Sequence, residues 1–266
     1  MSTYLLVHGA FHGGWAWQRV APLLEDAGHR VLAPSLVGLG DRAELLTPEV
    51  GLDSHVEDLV SLLTSADLTD VILVGHSYAS IVVTALADAV ADRIAELVYI
   101  DTFVPRDGEA VADIMPGMVD AFAAAAAEYG DGWRVPPQTE PMGDGGLYGI
   151  IEEPDLSWAA SMMTAQSLET FQQRMLLTNP VALADIPVTH VYCSEGGEDY
   201  KAMRAAMPRT LPPADLPPGR LHVLPTGHDC MITMPRELAG HLLALAPRTS
   251  LARGRPTGSS QDSVAS

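Results

Sequence analysis

Basic residues are scarce in this chain of 266 residues: 15 Lys and Arg stand against 34 Asp and Glu, a formal net charge of −19. That balance excludes nucleic-acid backbones and anionic membrane surfaces as partners, because both are held by clustered cations. Cysteine is nearly absent. Cys193 and Cys230 form no CxxC pair and no zinc-finger spacing, so they read as reduced thiols of a cytosolic protein. No apolar run reaches the ~20 residues that span a bilayer. The opening "MSTYLLVHGAF" has no basic n-region and enters a strand at once, so no signal peptide is read there. The expectation is a cytoplasmic protein, with no nucleic-acid or membrane partner.

What is present is a 47% hydrophobic chain, enough for one sizeable α/β core. Six short apolar runs read as strands: 3–8, 30–35, 71–76, 97–101, 188–193 and 220–225. They lack period-two alternation, as strands buried on both faces of a parallel sheet do. Amphipathic helices over 15–27, 54–66, 78–90 and 236–246 lie between or after them. Such alternation predicts right-handed βαβ units and a mainly parallel, doubly wound sheet with helices on both faces. Between 104 and 182 the pattern breaks into Ala-, Met- and Gly-rich helical pieces with no strand signal. This stretch is expected to be a helical lid inserted into a core of 1–103 and 183–248. Residues 249–266 are polar and Ser-rich, the composition of a disordered tail.

The strand "VILVGH" runs straight into Gly75-His76-Ser77-Tyr78-Ala79. A hydroxyl between small flanks, on a strand-to-helix corner, has the form of a nucleophile elbow. The bland alternative is a capping Ser in an ordinary turn. The loop "HGAFHGGW" after the first strand lacks GxGxxG spacing, and no acidic residue ends the second strand, so no dinucleotide site is read. A His-Gly loop there instead supplies a backbone N–H to an oxyanion hole, which makes the N–H groups of Ala10 and Tyr78 the candidate donors. His8 and His12 are four apart but on a loop without a neighbouring Glu, so structural roles outweigh a metal site. His228, in "TGHDCM" after the last strand, is the histidine best placed to serve Ser77 as base.

With these residues assembled, the chain resembles the α/β-hydrolase superfamily, in the branch of plant methyl-esterases, hydroxynitrile lyases and similar bacterial hydrolases. The matching segments are "YLLVHGAFHGGWAW", "LAPSLVGLGDR", "LVGHSYAS", "LVYIDTFVP" and "TGHDCM", spanning residue 4 to about 245. The resemblance implies the α/β-hydrolase fold, a Ser77 nucleophile, a His228 base, a lid and no cofactor. Where the lyases carry Thr and Lys this chain has Gly9 and Asp229, and a carboxylate beside the base is expected to repel cyanide. Ester hydrolysis of a small-molecule substrate is the resulting expectation. A lyase or natural-product tailoring enzyme and a ligand-binding protein on the same scaffold are the alternatives. The acid is assigned to Asp101, which ends "LVYID", with Glu195, Glu198 and Asp199 as alternatives. Phe11, Trp133, Trp158 and Met162 are expected to bind substrate, and packing of the insert on the core competes with that role. No metal is expected, and a homodimer is left open.

Overall fold

In the computed structural model, which describes residues 1–205, 207, 214 and 216–246, six parallel strands form the central sheet. They are β1 (Thr3–Val7), β2 (Arg30–Leu32), β3 (Val71–His76), β4 (Ile94–Ile100), β7 (Val188–Cys193) and β8 (Leu221–Leu224), in the order β2-β1-β3-β4-β7-β8. The central runs are mostly apolar because both faces are covered; all six residues of β3 are buried. The chain reverses its direction of winding between β1 and β3, which pair from Thr3↔Val71 to Val7↔Gly75. The loops leaving these two strands therefore lie side by side at the switch point, where α/β sheets bind ligands.

Helices α1 (Ala21–Asp26), α2 (Leu52–Ser65), α3 (Ala79–Ala89) and α11 (Pro235–Leu245) accompany the sheet. The helix read over 15–27 is divided into a 3₁₀ turn, Gly14–Trp17, and α1. Pro22 explains the restart, since proline is accommodated only in a helix's first turn. Between β4 and β7 the chain forms α4 (Val111–Ile114), α5 (Pro116–Tyr129), α6 (Asp155–Met162), α7 (Glu169–Gln172) and α8 (Pro180–Ala184). It also holds an antiparallel pair missed in the sequence, β5 (Arg134–Val135) with β6 (Gln166–Ser167). Two residues per strand are too few to carry a periodic signal. Helix α9 (Glu198–Ala205) follows β7, and the short α10 (Cys230–Thr233) precedes α11. Among the described residues no helix is long and apolar enough to cross a membrane. The tail read over 249–266 lies outside the described residues.

Candidate active site

Ser77 stands between β3 and α3 with φ +55°, a left-handed conformation that a non-glycine residue adopts only under constraint. Three hydrogen bonds hold it. Its N–H donates to Ile100 O at 3.2 Å, while its carbonyl accepts from Thr102 Oγ1 at 2.7 Å and from the Ser80 N–H at 3.0 Å. Gly75 lets the corner close, because a Cβ there would lie 2.6 Å from Val83 Cγ2. Ser77 is half-buried, and its Oγ has no hydrogen-bond partner among the described residues. It lines a cavity of about 150 Å³ together with Ala10, Tyr78, Asp101 and His228.

Asp101 leaves β4, also left-handed at φ +48°, with its N–H donating to Val191 O at 2.7 Å. This turn swings the carboxylate toward the end of β8. There His228 Nδ1 donates to Asp101 Oδ2 at 2.7 Å. The same oxygen accepts from the Tyr200 hydroxyl at 2.6 Å, and Oδ1 accepts from the Cys193 N–H at 3.0 Å and from Arg204. Burial alone would raise the Asp101 carboxyl. The hydrogen bond and charge of His228, with Arg204 and Tyr200, hold it well below the usual carboxylate range instead. Glu195, Glu198 and Asp199 are exposed, and Glu198 pairs with Lys201. None of the three touches His228.

The loop after β1 faces the elbow, and the Ala10 and Tyr78 N–H groups have no acceptor among the described residues. Gly9 is tightly packed there, since a Cβ would fall 2.9 Å from His76 Nδ1 and 3.2 Å from Ser77 Cβ. Phe11 is left-handed at φ +65°, and its N–H is taken by Gln166 Oε1 at 2.9 Å. His8 Nε2 accepts from the Leu36 N–H and its Nδ1 donates to Gly9 O, a structural role for a histidine that burial lowers to about 3. His55 donates to Val37 O and accepts from the Tyr78 hydroxyl, which anchors the Tyr78 ring.

Of the side chains expected to bind substrate, Phe11 lines the cavity and Trp133, Trp158 and Met162 do not. Trp158 packs edge-on to Trp15, ring centroids 5.2 Å apart, with the Arg19 guanidinium over its face. Trp133 lies beside Arg134, and Met162 is 37% exposed. The walls come instead from Met115, Met118, Phe122 and Phe171, with Tyr200 and Met203 of α9. Asp229 also departs from expectation: it is fully buried, turned from the cavity and bonded to His12. A direct repulsion of cyanide by that carboxylate therefore has no geometric basis.

Sequence reasoning misses Tyr200 and Arg204, four apart on α9, because a Tyr and an Arg on a polar helix carry no local signal of a distant carboxylate partner. Gln166 carries no local signal. Ligand atoms of His76, His228 and Asp229 lie within 4.8 Å of one another. His76 Nε2 donates to His228 O at 3.1 Å, while His228 Nδ1 and Asp229 Oδ2 are engaged by Asp101 and His12, so each of the three already spends one ligand atom on a hydrogen bond.

A strained serine corner, a glycine-rich loop beside it and a histidine–carboxylate pair at the ends of parallel strands define an α/β hydrolase. The chain belongs to the alpha/beta hydrolase family, whose model matches residues 4–241. It is 34% identical over 255 residues to the carbendazim hydrolyzing esterase of Nocardioides sp. (strain SG-4G), covering 92% of this chain and 100% of that one. Methylesterase 2 of Arabidopsis thaliana is 27% identical over 261 residues, 91% of this chain and 95% of that one. The solved structure of an extracellular alpha/beta-hydrolase from a Paenibacillus species shares the fold with a TM-score of 0.71 at 18% identity, covering 92% of this chain and 99% of that one.

Proposed function

We propose that this enzyme is a serine carboxylesterase acting on a small-to-medium apolar ester. Ser77 is the nucleophile, His228 the general base, Asp101 the acid that orients it, and the N–H groups of Ala10 and Tyr78 the oxyanion hole. The observation that carries this reading is the 2.7 Å contact of His228 Nδ1 with Asp101, at a cavity that Ser77 also lines. An ionised Asp101 fixes the tautomer with the proton on Nδ1, which leaves Nε2 free to act as base.

The steps follow from that placement. Ser77 Oγ attacks the acyl carbon as its proton passes to His228 Nε2, and the carbonyl oxygen becomes an oxyanion beside the two backbone N–H groups. The N-terminus of α3, which begins one residue after Tyr78, favours the same negative charge. Collapse expels the alcohol oxygen, which takes the proton from Nε2. Water then repeats the sequence on the acyl-enzyme and releases the acid.

The 104–182 segment acts as a cap that supplies most of the apolar wall through Met115, Met118, Phe122 and Phe171. Cyanohydrin cleavage is the weaker reading, because no Lys or Arg is among the described cavity-lining residues to hold a cyanide leaving group. The esterases among the relatives make methyl and short p-nitrophenyl esters the first substrates to try. The test combines their turnover with labelling by a fluorophosphonate. The parent protein is expected to label and turn over, and Ser77→Ala to do neither while keeping its far-UV circular dichroism. Labelling of that variant at the parent's rate would place the nucleophile elsewhere.

A further inference from the structure

His12, in the loop after β1, has an acceptor at each ring nitrogen. Nδ1 is 2.6 Å from Ala10 O, and Nε2 is 2.9 Å from Asp229 Oδ2. A neutral imidazole has one N–H to give, so two acceptors at these distances call for an imidazolium opposite a carboxylate. The two side chains are 2% and 0% exposed. Burial works against both charges, and the attraction and hydrogen bond between them overcome it, holding His12 up and Asp229 down.

The rings packed on His12 are uncharged, and the titratable groups nearest Asp229, besides His12, are His76 and His228. Trp15 stacks on the His12 ring with centroids 5.1 Å apart, and the Tyr148 ring stands edge-on at 5.5 Å. His76, 3.8 Å from Asp229 Oδ1, is lowered to about 3 by burial and by His228, and is therefore neutral. Asp229 Oδ1 has no hydrogen-bond partner. His228 adjoins Asp229 in the chain and adds to what holds its charge.

The ends of this pair are placed where the chemistry needs accuracy. His12 fixes the carbonyl of Ala10, whose own N–H is the proposed oxyanion donor, and Asp229 is the residue after the base. We propose that the buried His12–Asp229 ion pair is a positioning clamp, setting the oxyanion loop against the His228 loop. Phe11, between Ala10 and His12, is held left-handed at φ +65°, so the loop has a conformation that needs fastening. Other ties on these loops include Phe11 N–H to Gln166, Thr164 N–H to Phe11 O, Asp229 N–H to Tyr148 O, His228 Nδ1 to Asp101 and His76 Nε2 to His228 O. Among the described residues His12–Asp229 is the hydrogen-bonded pair that joins the two loops directly through side chains.

The clamp rests on the esterase reading, so its first test is independent of turnover. Nuclear magnetic resonance of ¹⁵N-histidine-labelled protein should show both ring N–H groups of His12 at pH values where an ordinary histidine, with a pKa of about 6.5, is neutral. A single ring proton there would overturn the pair. The parent's kcat should fall through the same pH at which His12 loses its second proton, and a kcat that stays flat across that titration would also overturn the clamp. Next comes a cycle of His12→Gln, Asp229→Asn and the two together. Each single variant should lose roughly tenfold or more in kcat with KM within about twofold, and the double variant no more than the worse single. Losses that add, or that fall only on melting temperature, would reduce the pair to fold support. A parent without ester turnover would instead sink the esterase reading, with the His12 resonances still deciding the pair.

Discussion

The Arg204 guanidinium lies against the Asp101 carboxylate, 103 residues away in the chain, and its second amino group donates to Cys193 O at 2.9 Å. The guanidinium also stacks over the Tyr192 and Tyr200 rings, 4.6 Å from each centroid. Asp101 thus meets His228 on one oxygen and a fixed cation on the other, so α9 closes the back of the candidate site. Since Asp101 is fully buried at its side chain, removing the cation leaves its charge short of a partner. Arg204→Met is expected to destabilise the fold by roughly 3 kcal/mol, the order seen when one partner of a buried pair is lost. Urea unfolding followed by circular dichroism measures it.

Asp101→Asn should cut ester turnover by roughly a thousandfold or more, since the amide can hold the wrong tautomer of His228. Glu195→Gln, Glu198→Gln and Asp199→Asn should each stay within about twofold of the parent, because these side chains are exposed and away from His228. Steady-state kinetics on one short ester compares all four. A large loss at any of the other three would reassign the acid.

Three fully buried histidines predict acid lability. Burial lowers His8 to about 3, His55 to about 4 and His76 to about 3. A base whose folded value is depressed takes up its proton earlier in the unfolded chain. Its neutral burial therefore contributes stability above the unfolded value of about 6.5, and that contribution is lost as pH falls toward the folded value. Together the three should steepen the loss of stability to as much as about 4 kcal/mol per pH unit between roughly pH 6 and 4. Urea midpoints across that range check it, and a flat profile would contradict neutral burial.

Chain-length preference should follow the residues that line the cavity. Met118→Ala and Phe122→Ala are expected to shift the preferred acyl length by several carbons with little change on the shortest ester. Trp158→Ala should leave the preference unchanged and affect only stability, because its ring packs on Trp15 and Arg19. A series of p-nitrophenyl esters from acetate to decanoate reads both. A preference that moves with Trp158 would place α6 in the substrate's path.

The local elements were legible from residue chemistry alone: buried runs without alternation became the parallel sheet, and small residues around Ser77 became its strained corner. The adjacency of the β1 and β3 loops was also legible, because a doubly wound order puts those two strands side by side. Local chemistry could not decide which carboxylate meets His228. Asp101 and Glu195, Glu198 and Asp199 are equally acidic on paper, and only the left-handed turn of Asp101 after β4 aims one of them. Nor could it say that Asp229 faces His12 across 217 residues, that Arg204 backs Asp101, or that Trp158 packs on Trp15 and not on the cavity. Turn preferences and hydrophobic periods act over a few residues. Contacts between distant side chains follow from strand register and packing, which only the assembled tertiary structure sets.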